Sequence, residues 1–168
     1  MNGFNLAESG HVAAILPPQS ISGGKTAQAF SMSQYKHASI IIVAGAEATQ
    51  DASSLVLNVC SDAAGDSPVA IPFNYYYQAL GGVPNDVLSP MNTAPAAGLV
   101  LGAGNFPANG LIVIEIDANE LEAASVPLGS ASYLQVVLGG PAAVDYASIT
   151  AVLSGARDAH VASASVMV

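Results

Sequence analysis

Two carboxylates spaced two residues apart are the clearest candidates for chemistry in the sequence. Glu115 and Asp117 lie in the apolar stretch GLIVIEID, residues 110–117. Because side chains alternate across a β-strand, both carboxylates are predicted to share one face. Paired acids can perform acid–base catalysis, or hold a calcium ion together with other oxygen ligands. We favour the alternative, a solvated strand face on which Asp117 also caps the short helix predicted by the following stretch, DANELEAA.

Two further motifs resemble ligand-binding sites, but the spacing of their residues does not match the known signatures. Asp62 and Asp66 in SDAAGDS invite a calcium site, but their spacing matches no calcium-loop signature, which favours a solvated turn. The stretch QSISGGKT ends like a phosphate-binding loop. A Walker A motif needs a glycine five residues before Gly24, where the chain has Gln19, and a helix where AQAFSM is typical of a strand. The sequence therefore disfavours nucleotide binding.

The histidines and the cysteine indicate no catalytic group. His11, His37 and His160 lie in distant segments without the spacing of metal ligands. No GxSxG elbow occurs and no set of serine, histidine and acid stands out, so hydrolase chemistry has no starting point. Cys60 is alone, which excludes an intrachain disulfide and a cysteine zinc site, and a buried place on a strand is expected for it. We expect a non-enzymatic protein with no cofactor and no assigned metal ligands.

These residues must be positioned by β-strands. The stretches 37–45, HASIIIVAG, and 110–117 are apolar, β-branched and of strand length. Further strands are predicted at 26–32, 54–60, 69–77, 98–101, 130–138, 146–154 and 159–168. The strands 54–60 and 69–77 are expected to form a hairpin, and Pro72 places the second of them at a sheet edge or a bulge. The sequence predicts an all-β fold, an antiparallel β-sandwich or jelly-roll-like barrel, with an N-terminal arm and one short inserted helix.

The N-terminal region differs from the rest of the chain. Residues 1–24 are predicted to be an arm and residues 25–168 a single β-domain, with a short helix over 5–16 that ends at Pro17-Pro18. The Gly- and Pro-rich connection 78–109 is typical of an interface. Tyrosines are common at interfaces that are partly solvated. We therefore expect the tyrosine run, the apolar arm and the single arginine to contribute to an interface. The candidate interface residues are Phe4, Leu6, Val12, Ile15, Leu16, Tyr75, Tyr76, Tyr77 and Arg157.

Composition limits the partners of the chain. Of its 168 residues only 9% are charged, and the net charge is −9 with three cations, Lys25, Lys36 and Arg157. Three cations cannot follow a phosphate backbone, so direct nucleic-acid binding is not expected. The bland surface suggests burial against other subunits. No stretch reaches membrane-spanning length and the first residues lack a basic leader, so we expect no membrane association and assembly in the cytoplasm.

Three stretches resemble a group of small virion proteins of tailed bacteriophages. FNLAESGHVAAILPPQSISGGKTAQAFSMSQYKHASIIIVAG is similar to their opening, which has a helix, a proline pair, a glycine turn and a strand of the pattern sm-x-x-y-x-h-a-s-I-I-I. GLIVIEIDANEL and ASITAVLSGARDA are similar to the patterns y-v-I-e-I-d-a-x-x-L and A-V-L-s-g-x-R of the same group. The resemblance runs through most of the chain and contains no catalytic motif.

This resemblance implies a virion component. Together with size and composition it suggests a capsid decoration, or cement, subunit that binds the major capsid protein on the outside of an icosahedral head, as a homotrimer. The expected location is the capsid exterior, after assembly in the host cytoplasm. Acidic charge suits an outer surface, and a subunit that binds only the assembled shell stabilises that shell by mass action.

Three alternatives remain open at this point. The first is a tail or head–tail connector protein, for which six- or twelve-fold symmetry is expected. The second is a carbohydrate- or receptor-binding β-sandwich, with Tyr75, Tyr76 and Tyr77 as the aromatic platform. The third is an enzyme, a calcium-dependent hydrolase that uses Glu115 and Asp117.

Overall fold

A computed structural model describes residues 6, 10–45, 53–78, 87–102, 108–123, 133–140, 146–156 and 167. Nearly all of its regular structure is β-strand. In chain order the strands are β1 (Gly10–Ser20), β2 (Lys25–Thr26), β3 (Phe30–Ser31), β4 (Tyr35–Ala44), β5 (Ser53–Cys60), β6 (Val69–Ile71), β7 (Phe73–Gln78), β8 (Asn92–Ala94), β9 (Leu99–Leu101), β10 (Leu111–Asp117), β11 (Tyr133–Leu138) and β12 (Tyr146–Ala156). A short helix, α1 (Ala118–Ala123), lies between β10 and β11. The predicted all-β class with one inserted helix is confirmed.

The strands form two antiparallel sheets that share one hydrophobic core. Sheet A has the order β1-β12-β4-β10-β7-β8, and sheet B has the order β2-β11-β5-β6. β3 also pairs with β11, and β9 also pairs with β5. Buried residues from both sheets belong to a single cluster, so the two sheets pack face to face as a sandwich.

The pairing of the strands is nested. β1 pairs with β12, β2 and β3 with β11, β4 with β10, and β5 with β6. The chain therefore behaves as one long hairpin whose tip is β5–β6. Rolling this hairpin brings β12 beside β4 and β11 beside β5. This is the topology of a jelly roll, to which β7 and β8 add two strands at one side of sheet A.

The core consists of the inward-facing residues of both sheets. In sheet A, Ile40 lies opposite Ile114 and Ile42 lies opposite Ile112. Leu57 and other residues of sheet B face them across the sandwich. The largest fully buried side chains are Phe30, Ile21, Met32, Ile40, Ile42, Leu55, Leu57, Leu101, Ile112, Ile114, Ile116 and Leu134. Burial of these branched side chains is the main favourable term in folding this sandwich.

Two predicted strands are each divided in the structure. The strand predicted over 26–32 is two short strands, β2 and β3, on one edge of sheet B. The strand predicted over 69–77 divides at Pro72, which has no backbone N–H to donate. Before Pro72, β6 pairs with β5 as the predicted hairpin, and after it β7 joins sheet A. The edge position expected for the tyrosines is wrong, because β7 lies between β10 and β8.

The helical arm predicted at the N-terminus is wrong from Gly10 onwards. Residues 10–20 form β1, an edge strand of sheet A and part of the β-domain. Ala13 and Ile15 face the core while Val12 and Ala14 face outwards, which is the two-residue period of a strand. One register shift lies between Ala14 and Leu16, and a second, between Leu16 and Gln19, spans the Pro17-Pro18 pair. An edge strand tolerates prolines because one row of its N–H groups needs no partner.

Two segments predicted near the ends of the chain lie mostly outside the described residues. Of the remaining arm, only Leu6 lies within the described residues. The final strand predicted over 159–168 lies outside them except for Met167, which packs against the core. No helix in the described part of the chain is long and apolar enough to cross a membrane.

Candidate functional site

A polar cluster lies on the outer face of sheet A, at one end of β4 and β10. The register pairs Ser39 with Glu115 and His37 with Asp117. Their four side chains face away from the core because isoleucines occupy the alternating, buried positions of β10. The predicted shared face of the two carboxylates is confirmed, and His37 lies between them. We call these four residues the His37 cluster.

The geometry of the His37 cluster defines its protonation. Nδ1 of His37 lies 2.8 Å from Oδ1 of Asp117, and Nε2 lies 2.6 Å from Oε2 of Glu115. Ser39 donates its hydroxyl to the same Glu115 oxygen at 2.7 Å. Ionised carboxylates only accept, so with Glu115 and Asp117 ionised the two short contacts need a proton on both ring nitrogens. The cluster therefore fits an imidazolium that bridges two carboxylates through charge-assisted hydrogen bonds.

Opposing effects set the pKa of His37. Burial of the ring disfavours the charged form and lowers the pKa. The hydrogen bonds to Asp117 and Glu115, and the charges of these residues, outweigh burial and raise the pKa of His37 above its ordinary value of 6.5. The side chains of His37 and Glu115 are 32% and 34% exposed, and that of Asp117 is 64% exposed. Because solvent screens such pairs, each contributes at most about 1 kcal/mol to stability.

The cluster contains the residue types of a serine hydrolase without their working order. Ser39, His37 and Asp117 lie in sequence like a nucleophile, a base and its orienting acid, with Oγ of Ser39 3.4 Å from Nε2 of His37. However, the Ser39 hydroxyl donates to Glu115 and not to His37, and Nε2 of His37 is itself in contact with the same Glu115 oxygen. Ser39 on β4 is paired with Glu115 on one side and Val152 on the other, which leaves no ready N–H donor for an oxyanion on these strands beside its hydroxyl. The arrangement does not activate Ser39.

No local pattern in the sequence groups these residues. His37 and Asp117 are 80 positions apart, and His37 and Glu115 are 78 apart. The two apolar strands that carry them were both predicted. Antiparallel pairing of those strands is the signal that brings the histidine at the start of one beside the acids at the end of the other.

The carboxylate pairs do not converge as ligands of one metal ion. Asp117 and Glu115 contact opposite nitrogens of the His37 ring, so the ring lies between the two carboxylates. Within the ranges that the structure describes, no group of three or more His, Cys, Asp or Glu side chains is arranged to hold a metal ion. In the other acidic motif, the Asp66 N–H donates to Oδ1 of Asp62 at 3.0 Å and closes a turn. This contact fits the expected solvated turn.

An apolar patch adjoins the His37 cluster on the same outer face. Val43 lies opposite Leu111, Ile41 lies opposite Val113, and Val113 lies opposite Tyr76 on β7. All five side chains are half-buried or exposed, with Val43 42% exposed. The solvated face of an antiparallel sheet is usually polar. Apolar neighbours on three adjacent strands are typical of an interaction surface.

The candidate interface residues predicted in the N-terminal arm differ in their exposure. Leu6 and Val12 are exposed, at 39% and 48%. Ile15 and Leu16 are buried in the core, so their assignment to an interface is wrong in the folded domain. Phe4 lies outside the described residues.

The tyrosine run is divided in the same way. Tyr76 faces outwards within the apolar patch. Tyr75 is only 8% exposed and faces the core, and Tyr77 packs against the core. The three tyrosines therefore do not share one face, because alternate residues of a strand face opposite sides, and Tyr76 is the one on the outer face of sheet A. Arg157 lies outside the described residues.

The remaining features fit the expectations from the sequence. Cys60 is fully buried, and burial, followed by the charges of Asp62 and Asp66, raises the pKa of its thiol. After Lys25 and Thr26 the chain continues to the strand β3, as expected for a false phosphate loop. Within the predicted interface connection 78–109, three exposed apolar side chains precede or adjoin β8. They are Val87, Leu88 and Met91.

Comparisons with known proteins add little. No family model matches the chain, and no curated protein matches it in sequence. A solved structure titled "Structure of infectious bursal disease virus Gt strain" is similar at 12% identity with a TM-score of 0.21. The match covers 88% of this chain, which spans 38% of that one. A similarity at this level carries no argument about fold or function.

Proposed function

We propose that the chain is a non-enzymatic virion subunit that decorates the outside of an icosahedral phage head and stabilises it. In this proposal the outer face of sheet A binds the major capsid protein, and the subunits act as trimers. The apolar patch is the observation that carries the proposal. A monomeric sandwich has no need for apolar residues at neighbouring outward positions of β4, β10 and β7.

The charge of the chain supports an outer surface. The net charge of −9 disfavours contact with packaged nucleic acid. None of the aliphatic residues of the patch is ionisable, so a partner can cover it at little desolvation cost. Weak contacts by each subunit are multiplied when three are joined in a trimer.

The fold is compatible with the proposal and does not select it. Jelly rolls occur in viral capsid proteins and in lectins. Function must therefore be argued from the exposed residues. The resemblance to phage virion proteins through residues 4–45 and the later strands favours the capsid role.

A second candidate is a carbohydrate- or receptor-binding sandwich. Tyr76 faces outwards near Asn74, whose Oδ1 accepts a hydrogen bond from Thr93 at 2.9 Å. A tyrosine ring beside amide and hydroxyl groups is suited to sugar contacts. Binding of the purified protein to a glycan array, abolished by Tyr76→Ser, is expected under this candidate and not under the capsid role. A tail or connector protein is the further alternative, and solution mass separates it, since light scattering is expected to give a trimer and not a ring of six or twelve.

Attachment to heads tests the proposed function. Purified protein is mixed with heads assembled from the major capsid protein of the same genome, and the heads are pelleted. Val43→Glu places a charge in the patch, while Val69→Glu changes a valine of nearly equal exposure, 42% against 44%, on sheet B. We expect wild type and Val69→Glu to pellet with the heads and Val43→Glu to stay in the supernatant. Equal pelleting of both variants would overturn the use of this face.

A further inference from the structure

The His37 cluster and the apolar patch are continuous on the same two strands. On β4 the outward residue after Ser39 is Ile41, and on β10 the outward residue before Glu115 is Val113. Any partner that covers the patch therefore approaches the cluster. Two strands of sheet A are joined there by side chains in addition to their backbone ladder.

We propose that His37 is a proton-operated clamp between β4 and β10, which controls the charge beside the apolar patch and makes attachment through this face depend on pH. The clamp stands on the geometry of the cluster, and its effect on attachment rests on the proposed function. The ring of His37 must hold Asp117 with one nitrogen and Glu115 with the other.

Loss of one proton changes the contacts of the ring. In the imidazolium both N–H groups donate, and the three ionised side chains together carry one net negative charge. In the neutral ring one nitrogen becomes an acceptor that faces a carboxylate oxygen at 2.6 or 2.8 Å. That contact is repulsive, so one carboxylate must turn away from β4. The cluster then carries two net negative charges, and burying it under a partner costs more.

The surroundings leave the two carboxylates as the controlling groups. From β12, Ser154 lies opposite His37 and Val152 lies opposite Ser39, and neither is ionisable. From α1, Glu120 accepts a hydrogen bond from the backbone N–H of Asp117 at 2.9 Å, so its carboxylate is directed to the helix start. On β4 itself Lys36 is exposed.

The direction of the pH dependence follows from the raised pKa of His37. The unfolded chain releases this proton near 6.5, and the folded chain holds it to a higher pH. The stabilisation is therefore complete below pH 6.5 and is lost as the pH rises through the folded value. A clamp of this kind favours attachment at pH values below the folded pKa of His37 and weakens it above that pKa.

The isolated protein tests the clamp without any capsid. Proton NMR follows the ring signals of His37, which are assigned by their absence in His37→Gln. We expect titration above 6.5 in the wild type. Thermal unfolding from pH 5.5 to 9 is compared for wild type, His37→Gln and the control Ser39→Ala, which keeps both ring contacts. Wild type is expected to melt above His37→Gln by up to about 2–4 °C at pH 5.5, and the difference should close by pH 9.

Two results would overturn the clamp. One is titration of His37 at or below 6.5, which the wild-type spectrum alone can reveal even when His37→Gln folds poorly. The other is a melting difference between wild type and His37→Gln that is the same at every pH.

Pelleting with heads at pH 6 and pH 9 tests the effect on attachment. We expect wild type to bind roughly fivefold more weakly at pH 9 than at pH 6, and His37→Gln to show little difference. Equal wild-type binding at both values overturns the pH control while the proposed function stands. Absence of binding at both values, with a normal His37 titration, overturns the proposed function and leaves the clamp intact.

Discussion

On β10, Ile112, Ile114 and Ile116 face the core, whereas Leu111 and Val113 point outwards, followed by two acids. The three isoleucines are at most 2% exposed. On the outer side the residues change along the strand from apolar to charged. The strand β4 repeats this arrangement, with Ile40 and Ile42 inside and an outer row that runs from Val43 through Ile41 and Ser39 to His37. One pair of strands thus carries a uniform inner face and a graded outer face.

The two faces of the same strands therefore lie in two different environments. The inner face is uniform because every position meets the opposite sheet. The outer face is graded because its residues meet water or a partner. Changes to the inner face should therefore alter stability, and changes to the outer face should alter binding.

The largest effect is expected from a cavity on the inner face. Ile114→Ala removes most of a fully buried side chain at the centre of sheet A. We expect a loss of about 2–5 kcal/mol in the free energy of unfolding, measured by urea denaturation. A loss below about 1 kcal/mol would mean that the inner face is not the main source of stability.

An intermediate effect is expected on the outer face of sheet B, which differs from that of sheet A in being partly covered. Gln135 is 9% exposed there, and Gly65 in the turn after β5 lies against its amide. Gly65 has φ of +82°, and an added Cβ would also collide with the Gln135 amide, so Gly65→Ala should cost more than the about 1–2 kcal/mol of backbone strain alone. Gly23→Ala is the control, since Gly23 has φ of +76° and an added Cβ there meets nothing within 4 Å. Equal losses of unfolding free energy in the two variants would contradict close packing of the turn that contains Gly65 against Gln135 of sheet B.

The smallest effect on stability is expected from the outer face of sheet A. Val113→Thr keeps the β-branched shape beside Ile114 and replaces one methyl by a hydroxyl. We expect the free energy of unfolding, measured by urea denaturation, to change by less than about 0.5 kcal/mol. The amount of protein that pellets with heads is expected to fall. A stability loss as large as that of Ile114→Ala would remove the distinction between the two faces.

The sequence predicted the local part of this arrangement. Alternation in GLIVIEID was sufficient to assign both faces of β10, and helix α1 followed from Asp117 and the acids after it. At that start the Asp117 N–H donates to Glu120, while Oδ1 of Asp117 contacts His37. Strand periods and helix starts depend on neighbours in the chain, which is why they could be predicted.

The remaining features depend on partners far away in the chain. The helix predicted over 5–16 includes residues 10–16 of β1, because their strand partner, β12, lies more than a hundred residues later and leaves no local signal. Pro72 predicted an interruption, but nothing local indicates that the chain then joins the other sheet. The His37 cluster needs the register between β4 and β10, which no single strand contains.

The central claim is that the outer face of sheet A binds the capsid. Electron cryomicroscopy of heads incubated with the purified protein tests it most directly, because the jelly roll can be fitted into the added density. We expect Val43, Val113 and Tyr76 to face the shell, with subunits grouped around local three-fold positions. Density in which these residues face solvent, with sheet B against the shell, would contradict the account.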